Sequence, residues 1–332
     1  MPYRIMQHGK LVISLDFELL WGVRDKKTIA QYGENIRAVH TIVPRLLELF
    51  DRYEVKATFS TVGFLFFENK SALLSSLPEL LPEYANKNLS PYNGHFDLLK
   101  EAFPQDEYHF GWHLVEKIKQ HPQHEIGTHT FSHYYCLEEG QTIKQFRADI
   151  EQAIKVAAER GIKITSLIFP RNQFNDAYLK VCHELDIICY RGNEHSWLYE
   201  ARNKNDEQLH RRALRLLDAY INISGHHVYS DTYMRSKFPI DIPSSRFLRP
   251  YSSTLSFLES LKLRRITQSM SYAAKNNLTY HLWWHPHNFG DHTDENFACL
   301  EQILSHYKKL QYEHSFQSYT MTELAKSLMN EQ

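Results

Sequence analysis

The feature that most constrains this chain is a series of short apolar runs, each stopping at residues able to do chemistry. Residues 10–18 (KLVISLDFE) are rich in branched and aromatic side chains and end in Asp16 and Glu18. Residues 55–63 (VKATFSTVG), 125–133 (EIGTHTFSH), 164–171 (ITSLIFPR), 187–191 (IICYR), 220–224 (YINIS) and 279–285 (TYHLWWH) continue the series. Runs of this length and composition read as buried strands. Helical stretches lie between most of them. Over residues 35–53, Ile36, Val39, Ile42, Val43, Leu46, Leu47 and Phe50 recur at helical spacing. Residues 142–160 form another helix, with Thr142 placed to cap it and Gly161 to stop it. Alternating strands and helices imply an α/β fold with a parallel sheet, open or closed into a barrel. In parallel barrels the reactive groups gather where strands end, and the ends here carry Asp16/Glu18, His129/His133, Arg171, Arg191 and His285/His287.

No repeat, low-complexity tract or Pro/Gly linker divides the 332 residues, so we read residues 1–332 as one domain. Residues 66–124 are irregular, with five prolines, and read as a helical insertion at the rim; residues 229–251 read as a second rim loop. With 38 Lys+Arg against 39 Asp+Glu, the charge balance gives no electrostatic case for a nucleic-acid partner or an anionic membrane. No run approaches the ~20 apolar residues of a transmembrane segment. Asp16 and Glu18 interrupt the first apolar stretch, which argues against a secretory signal. Four cysteines with no C-x-x-C pair suggest reduced thiols, and the expected location is cytoplasmic.

Asp16 and Glu18, two apart on a strand, point to one face, and two such carboxylates repel unless a cation or a proton lies between them. A solvated strand end with ordinary salt bridges is the competing reading. His129 and His133, four apart just past a strand, can aim their imidazoles at one point, although 20 histidines make chance spacing a competitor. Two histidines and one carboxylate fill three positions of a tetrahedron and leave the fourth for water, the layout of a hydrolytic metal site. Trp21 lies beside the acid pair and offers a flat ring for substrate contact.

Asp-x-Glu after the first strand, H-T-x-x-H after the third, a Pro-Arg pair and a closing Trp-Trp-His resemble the polysaccharide deacetylase family (the NodB-homology domain, carbohydrate esterase family four) over residues 8–290. The resemblance implies a distorted (β/α) barrel of about seven parallel strands. It also implies a metal-dependent hydrolase that removes an N-acetyl group from an amino sugar or saccharide, in a setting such as surface polysaccharide biosynthesis. Asp16 matches the family's catalytic base, His285 its general acid, and Glu18, His129 and His133 its metal ligands. The metal expected is one divalent ion, zinc first, with cobalt, nickel, iron or manganese as alternatives. Arg171 is assigned to orient Asp16 although Phe169-Pro170-Arg171 departs from the family's R-x-P order; Arg191 is its rival and is otherwise grouped with Trp21 and His287 as substrate-binding. Glu18 sits one position later than the family's second acid. His287 competes with His285 as the acid, and the family's fourth motif has no counterpart. Two alternatives stand beside this reading: an allantoinase-like hydrolase of another amide bond, and an inactive glycan-binding relative. The oligomeric state is not read from the sequence.

Overall fold

The computed structural model describes residues 8–199 and 209–330. Its strands are β1 (Lys10–Phe17), β2 (Thr58–Thr61), β3 (Glu125–Thr128), β4 (Ser166–Leu167), β5 (Cys189–Tyr190), β6 (Ile240–Asp241), β7 (Arg246–Phe247), β8 (Thr279–Trp284) and β9 (Gln317–Tyr319). They form one parallel sheet in the order β6-β5-β4-β3-β2-β1-β8-β7, and β9 pairs with the first half of β1. β6 and β7 pair with opposite ends of this ladder, β5 and β8, yet belong to one extended stretch. Ile240, Ile242 and Ser244 donate backbone N–H groups to Ile188, Tyr190 and Gly192, whereas Ser245 and Leu248 donate to His281 and Trp283. This stretch carries the sheet round on itself, so that seven strand positions encircle a distorted (β/α) barrel.

The sixth strand position therefore falls in the segment read from sequence as a rim loop, and residues 220–224 are not a strand. Ile221 and Ile223 are 57% and 50% exposed, and Asp218 turns the chain by accepting the N–H groups of Ile223 and Ser224. Pro239 and Pro243 made the true strand read as a loop. Alternate N–H groups of a strand face alternate neighbours, and those bonding β5 belong to residues 240, 242 and 244. The prolines occupy the other register, where no donor to β5 is required.

Two apolar layers hold the barrel. On β1, Leu11, Ile13, Leu15 and Phe17 face outward into the large core beneath the helices, with Ile36, Val39, Ile42, Val43, Leu46, Leu47 and Phe50 of α1 (Ile29–Arg52). Val12 faces inward and meets Ile168, Cys189, Ile240 and Ile242. Met321, Leu324, Ala325 and Leu328, from the helix of residues Met321–Asn330, enter the same cluster and plug the N-terminal mouth. Glu125 seats that plug by accepting the Thr322 N–H at 3.0 Å and the Thr58 hydroxyl at 2.8 Å. α1 starts six residues before the apolar periodicity because its first turns are mostly exposed, and a Thr28/Gln31 capping box sets its start.

Within residues 66–124, α2 (Lys70–Leu74) and several 3₁₀ turns precede α3 (Trp112–Lys119), which packs on α1 and β3. The preceding loop docks on the turn after β1: Leu20 N–H donates to the Tyr108 carbonyl at 3.1 Å and Trp21 Nε1 to the His109 carbonyl at 2.9 Å. α4 (Ile143–Glu159) has a Thr142/Gln145 capping box and ends before Gly161, whose φ of +69° suits glycine. The four cysteines are free, and no helix among the described residues is long and apolar enough to cross a membrane.

Candidate metal centre and its surroundings

All the strands are parallel, so the C-terminal ends of β1, β3, β5 and β8 meet at one rim. Asp16 is the inward residue near the end of β1. Glu18 has already left the strand (φ −137°, ψ −11°) and begins the 3₁₀ turn Leu19–Gly22. The two carboxylates still share one site, because His285 Nε2 lies 3.7 Å from an oxygen of each. Glu18 folds back over Gly22 so closely that a Cβ there would sit 1.8 Å from the Glu18 Cδ.

Glu18, His129 and His133 are buried, and their ligand atoms lie within 4.8 Å of one another. Glu18 Oε2 is 3.3 Å from His129 Nε2 and 3.1 Å from His133 Nε2. The surrounding hydrogen bonds assign the tautomers. His129 Nδ1 lies 2.8 Å from the Ile168 carbonyl, which can only accept, so Nδ1 carries the proton. Tyr135 donates its hydroxyl to Asp25 at 3.3 Å and accepts from His133 Nδ1 at 3.2 Å. Both Nε2 lone pairs therefore face the Glu18 carboxylate. Burial pushes the His133 ring down to about 4, which keeps it neutral at pH 7. Burial works against the Glu18 charge, but neighbouring histidines, His285 foremost, outweigh it and hold that carboxyl well below its usual range. Two lone pairs and an anion converging in a buried space form a donor set for a divalent cation.

A second cluster, Asp51, His121 and His124, has the opposite chemistry. His124 Nδ1 accepts the Ala57 N–H at 3.2 Å, which puts its proton on Nε2, the atom facing Asp51 at 3.8 Å. Asp51 also takes the Gln123 amide and lies 3.0 Å from His121 Nδ1. His124 offers no lone pair there, and the cluster reads as a hydrogen-bonded junction between α1 and the turn before β3.

The guanidinium beside Asp16 belongs to Arg191, not Arg171. Arg191 Nη1 and Nη2 donate to Asp16 Oδ1 and Oδ2 at 2.7 and 2.9 Å, a bidentate fork among fully buried groups. Its remaining Nη protons go to Ser14 Oγ and Asn172 Oδ1, each at 3.1 Å, and the guanidinium lies 4.0 Å from the Trp283 ring centre. His281 Nδ1 donates to the Ile242 carbonyl at 3.1 Å, and its Nε2 accepts the Ser14 hydroxyl at 2.8 Å, completing the support. Burial would raise the Asp16 carboxyl, yet Arg191, His129 and His285 bring it below its usual value. Asp16 is therefore ionised at neutral pH.

Arg171 sits elsewhere. It pairs with Asp25 and with Glu138 at 3.0 Å and lies over the Tyr135 ring at 3.9 Å. With φ +55° it turns away from the barrel axis, so the inverted Pro-Arg order sends it to the outer partners of His133. Trp21 is also displaced from its expected role: it is fully buried, edge-on to Phe64, Phe96 and His109, with no face for a sugar. His287 is 3% exposed, 3.9 Å from Glu18, and burial pushes its ring down to about 3. His285 is more open, with 23% of its side chain exposed, and its Nδ1 lies 3.1 Å from Asn288 Oδ1. That bond leaves Nε2 free to exchange a proton beside Asp16.

Sequence reasoning missed Gly22, Ser14, His281 and Tyr135. His281 did have a signal, since His281, Trp283 and His285 share the inward face of β8 by strict alternation. Gly22 had none, because its demand comes from a carboxylate folding back across a turn.

Fold and site together define a class: parallel α/β barrels whose strand ends hold a carboxylate and two histidines beside an ionised aspartate. The sequence profile of the polysaccharide deacetylases matches residues 23–189, half of the chain, and the protein belongs to that family. The match is narrower than residues 8–290; it starts after Asp16 and Glu18 and stops before His285. A Mycobacterium smegmatis protein assigned to the polysaccharide deacetylases superposes with a TM-score of 0.63 at 13% identity, covering 100% of this chain and 93% of the other. A Pseudomonas aeruginosa PAO1 protein assigned to the same family gives 0.53 at 11% identity, covering 97% and 91%. Puue allantoinase gives 0.54 at 11% identity, covering 96% and 89%. Likeness at such identities is likeness of fold. No curated protein matches the sequence.

Proposed function

We propose that this protein is a metal-dependent hydrolase that removes an N-acyl group, acetyl in the simplest case, from an amino sugar or saccharide. The observation that carries the reading is the placement of an ionised, Arg191-held Asp16 beside the Glu18/His129/His133 donor set, with His285 Nε2 3.7 Å from Asp16. A divalent cation held by those three residues supplies Lewis-acid polarisation of the amide carbonyl and lowers the pKa of a bound water. We assign zinc first, because the donors are two imidazoles and one carboxylate. Asp16 takes the proton of the attacking water as general base. Arg191 keeps Asp16 charged and oriented. His285 enters the step as the imidazolium, its Nδ1–H held by Asn288 Oδ1, and hands its Nε2 proton to the departing amine. Free thiols are in keeping with a reducing, cytoplasmic compartment, and we place the substrate among saccharides under assembly there.

The test is metal content of the purified protein beside Glu18→Ala and His129→Ala, followed by acetate release from N-acetylated oligosaccharides, with a cyclic ureide as the competing substrate. About one metal per chain, lost in both variants, together with acetate release supports the proposal. A folded wild type that takes up no metal when supplied overturns it, and turnover of the ureide alone moves the reading to the allantoinase-like chemistry.

A further inference from the structure

Asp149, on α4, is a completely buried carboxylate that takes no part in the chemistry above. It accepts the Phe131 N–H at 2.6 Å, the Ser132 N–H at 3.1 Å and the Ser132 hydroxyl. Phe131 and Ser132 lie in the three-residue link between His129 and His133. That link is bent sharply: Thr130 and His133 occupy the left-handed region at φ +64° and +58°, a costly conformation for residues with a Cβ. Such strain persists only when neighbours over-determine it. Three further bonds share the task. The Thr130 hydroxyl accepts the Tyr134 N–H at 2.7 Å, and the Thr130 and Phe131 carbonyls accept the N–H groups of Gly63 and Phe64 at 2.9 and 3.2 Å. Asp149 is the one ionisable member, its carboxyl pushed up to about 7 by burial, and it alone holds the two N–H groups at the centre of the link.

We propose that Asp149 is a positioning residue for the metal site: by gathering the Phe131 and Ser132 donors it sets the bend that turns both imidazoles toward Glu18. The assignment rests on the metal reading above. It also accounts for an ionisable side chain inside a helix face that otherwise packs Phe146, Ile150 and Ala153 against the sheet. An outer residue of this kind acts on affinity through ligand geometry.

The experiment compares wild type, Asp149→Asn and Ser132→Ala. Cobalt(II) is the probe, read by its affinity and its visible d–d spectrum, with amide hydrogen exchange of residues 129–133 measured in the metal-free proteins. The amide introduced by Asp149→Asn can accept with only one atom and offers N–H groups to the Ser132 donors. We expect Asp149→Asn to bind cobalt about 10–100-fold more weakly, with an altered spectrum and faster exchange confined to the 129–133 link. Ser132→Ala, which keeps both N–H bonds, should shift the same readouts in the same direction by less. A folded Asp149→Asn with wild-type affinity and spectrum overturns the assignment. So does an unfolded Asp149→Asn beside a Ser132→Ala that is wild-type in every readout. Failure of the wild type itself to bind cobalt or zinc overturns the metal reading, an outcome distinct from unchanged binding in the variant.

Discussion

Replacing Gly22 by Ala places a single methyl group against the carboxylate proposed to hold the metal. The added Cβ would lie 1.8 Å from Glu18 Cδ, 2.0 Å from Oε1 and 2.2 Å from Oε2. Nonbonded carbons rest about 3.5 Å apart, so the carboxylate must withdraw by about 1.7 Å (3.5 − 1.8). Ligand distances in metal sites are held to within about 0.2 Å, so a displacement of that size removes one ligand of three. Gly22 is not in the left-handed region, and alanine suits its backbone. The cost therefore falls on Glu18, with stability changing by less than about 1 kcal/mol. We expect zinc affinity to fall by at least about 100-fold, or about 2.8 kcal/mol at 1.4 per factor of ten. Competition against a chromophoric chelator at pH 7, beside thermal unfolding of the metal-free proteins, measures both quantities. A folded Gly22→Ala protein whose zinc affinity stays within about threefold of wild type would refute the reasoning, because the carboxylate would then not depend on that space.

Two further outcomes follow from the arginines and from a buried ion pair. Arg191→Gln should lower kcat by about 10²–10⁴-fold, the worth of a general base, whereas Arg171→Gln should cost less than about tenfold because Arg171 reaches the site only through Asp25 and Tyr135. Equal losses in steady-state kinetics would contradict the assignment. Asp218 accepts from Arg246 Nη1, Ser224 Oγ and Tyr199 Oη, each at 2.7 Å. Burial opposes its charge, but Arg246 and the hydroxyls bring the carboxyl below its unfolded value of about 3.9. Its stabilisation is therefore complete above about pH 4 and is lost as the pH falls through the lower folded value. Asp218→Asn should cost about 3–5 kcal/mol at pH 7, and the gap between its melting temperature and that of the wild type should begin to narrow only below about pH 4 and go on narrowing as the pH falls further; a gap that does not change with pH would exclude this origin.

What could be read from the chain alone follows from local periodicity. β1 alternates Val12, Ser14 and Asp16 inward with Leu11, Ile13 and Leu15 outward, and α1 and α4 repeat their apolar faces at helical spacing, so the alternation of strand and helix was legible. So were Asp16, Glu18, His129 and His133 as strand-end residues, because a parallel sheet brings its C-terminal ends together whatever the packing. Three features depended on contacts between distant segments. The sixth strand position lies between Pro239 and Pro243, and only its two neighbours show that those prolines face away from the ladder to β5. The short exposed run at residues 220–224 imitates a strand and becomes a turn because Asp218 claims its N–H groups. Arg171 and Arg191 both end strands and differ by nothing local except a proline. The left-handed turn at Arg171 and the Ser14–His281 pair beneath Arg191 decide which guanidinium meets Asp16. Sequence by itself determined which side chains reach the rim, since side-chain alternation is a property of the strand. Tertiary structure alone decided which of them touch, since hydrogen bonds and close contacts across the barrel join residues as far apart in sequence as Ser14 and His281, 267 positions.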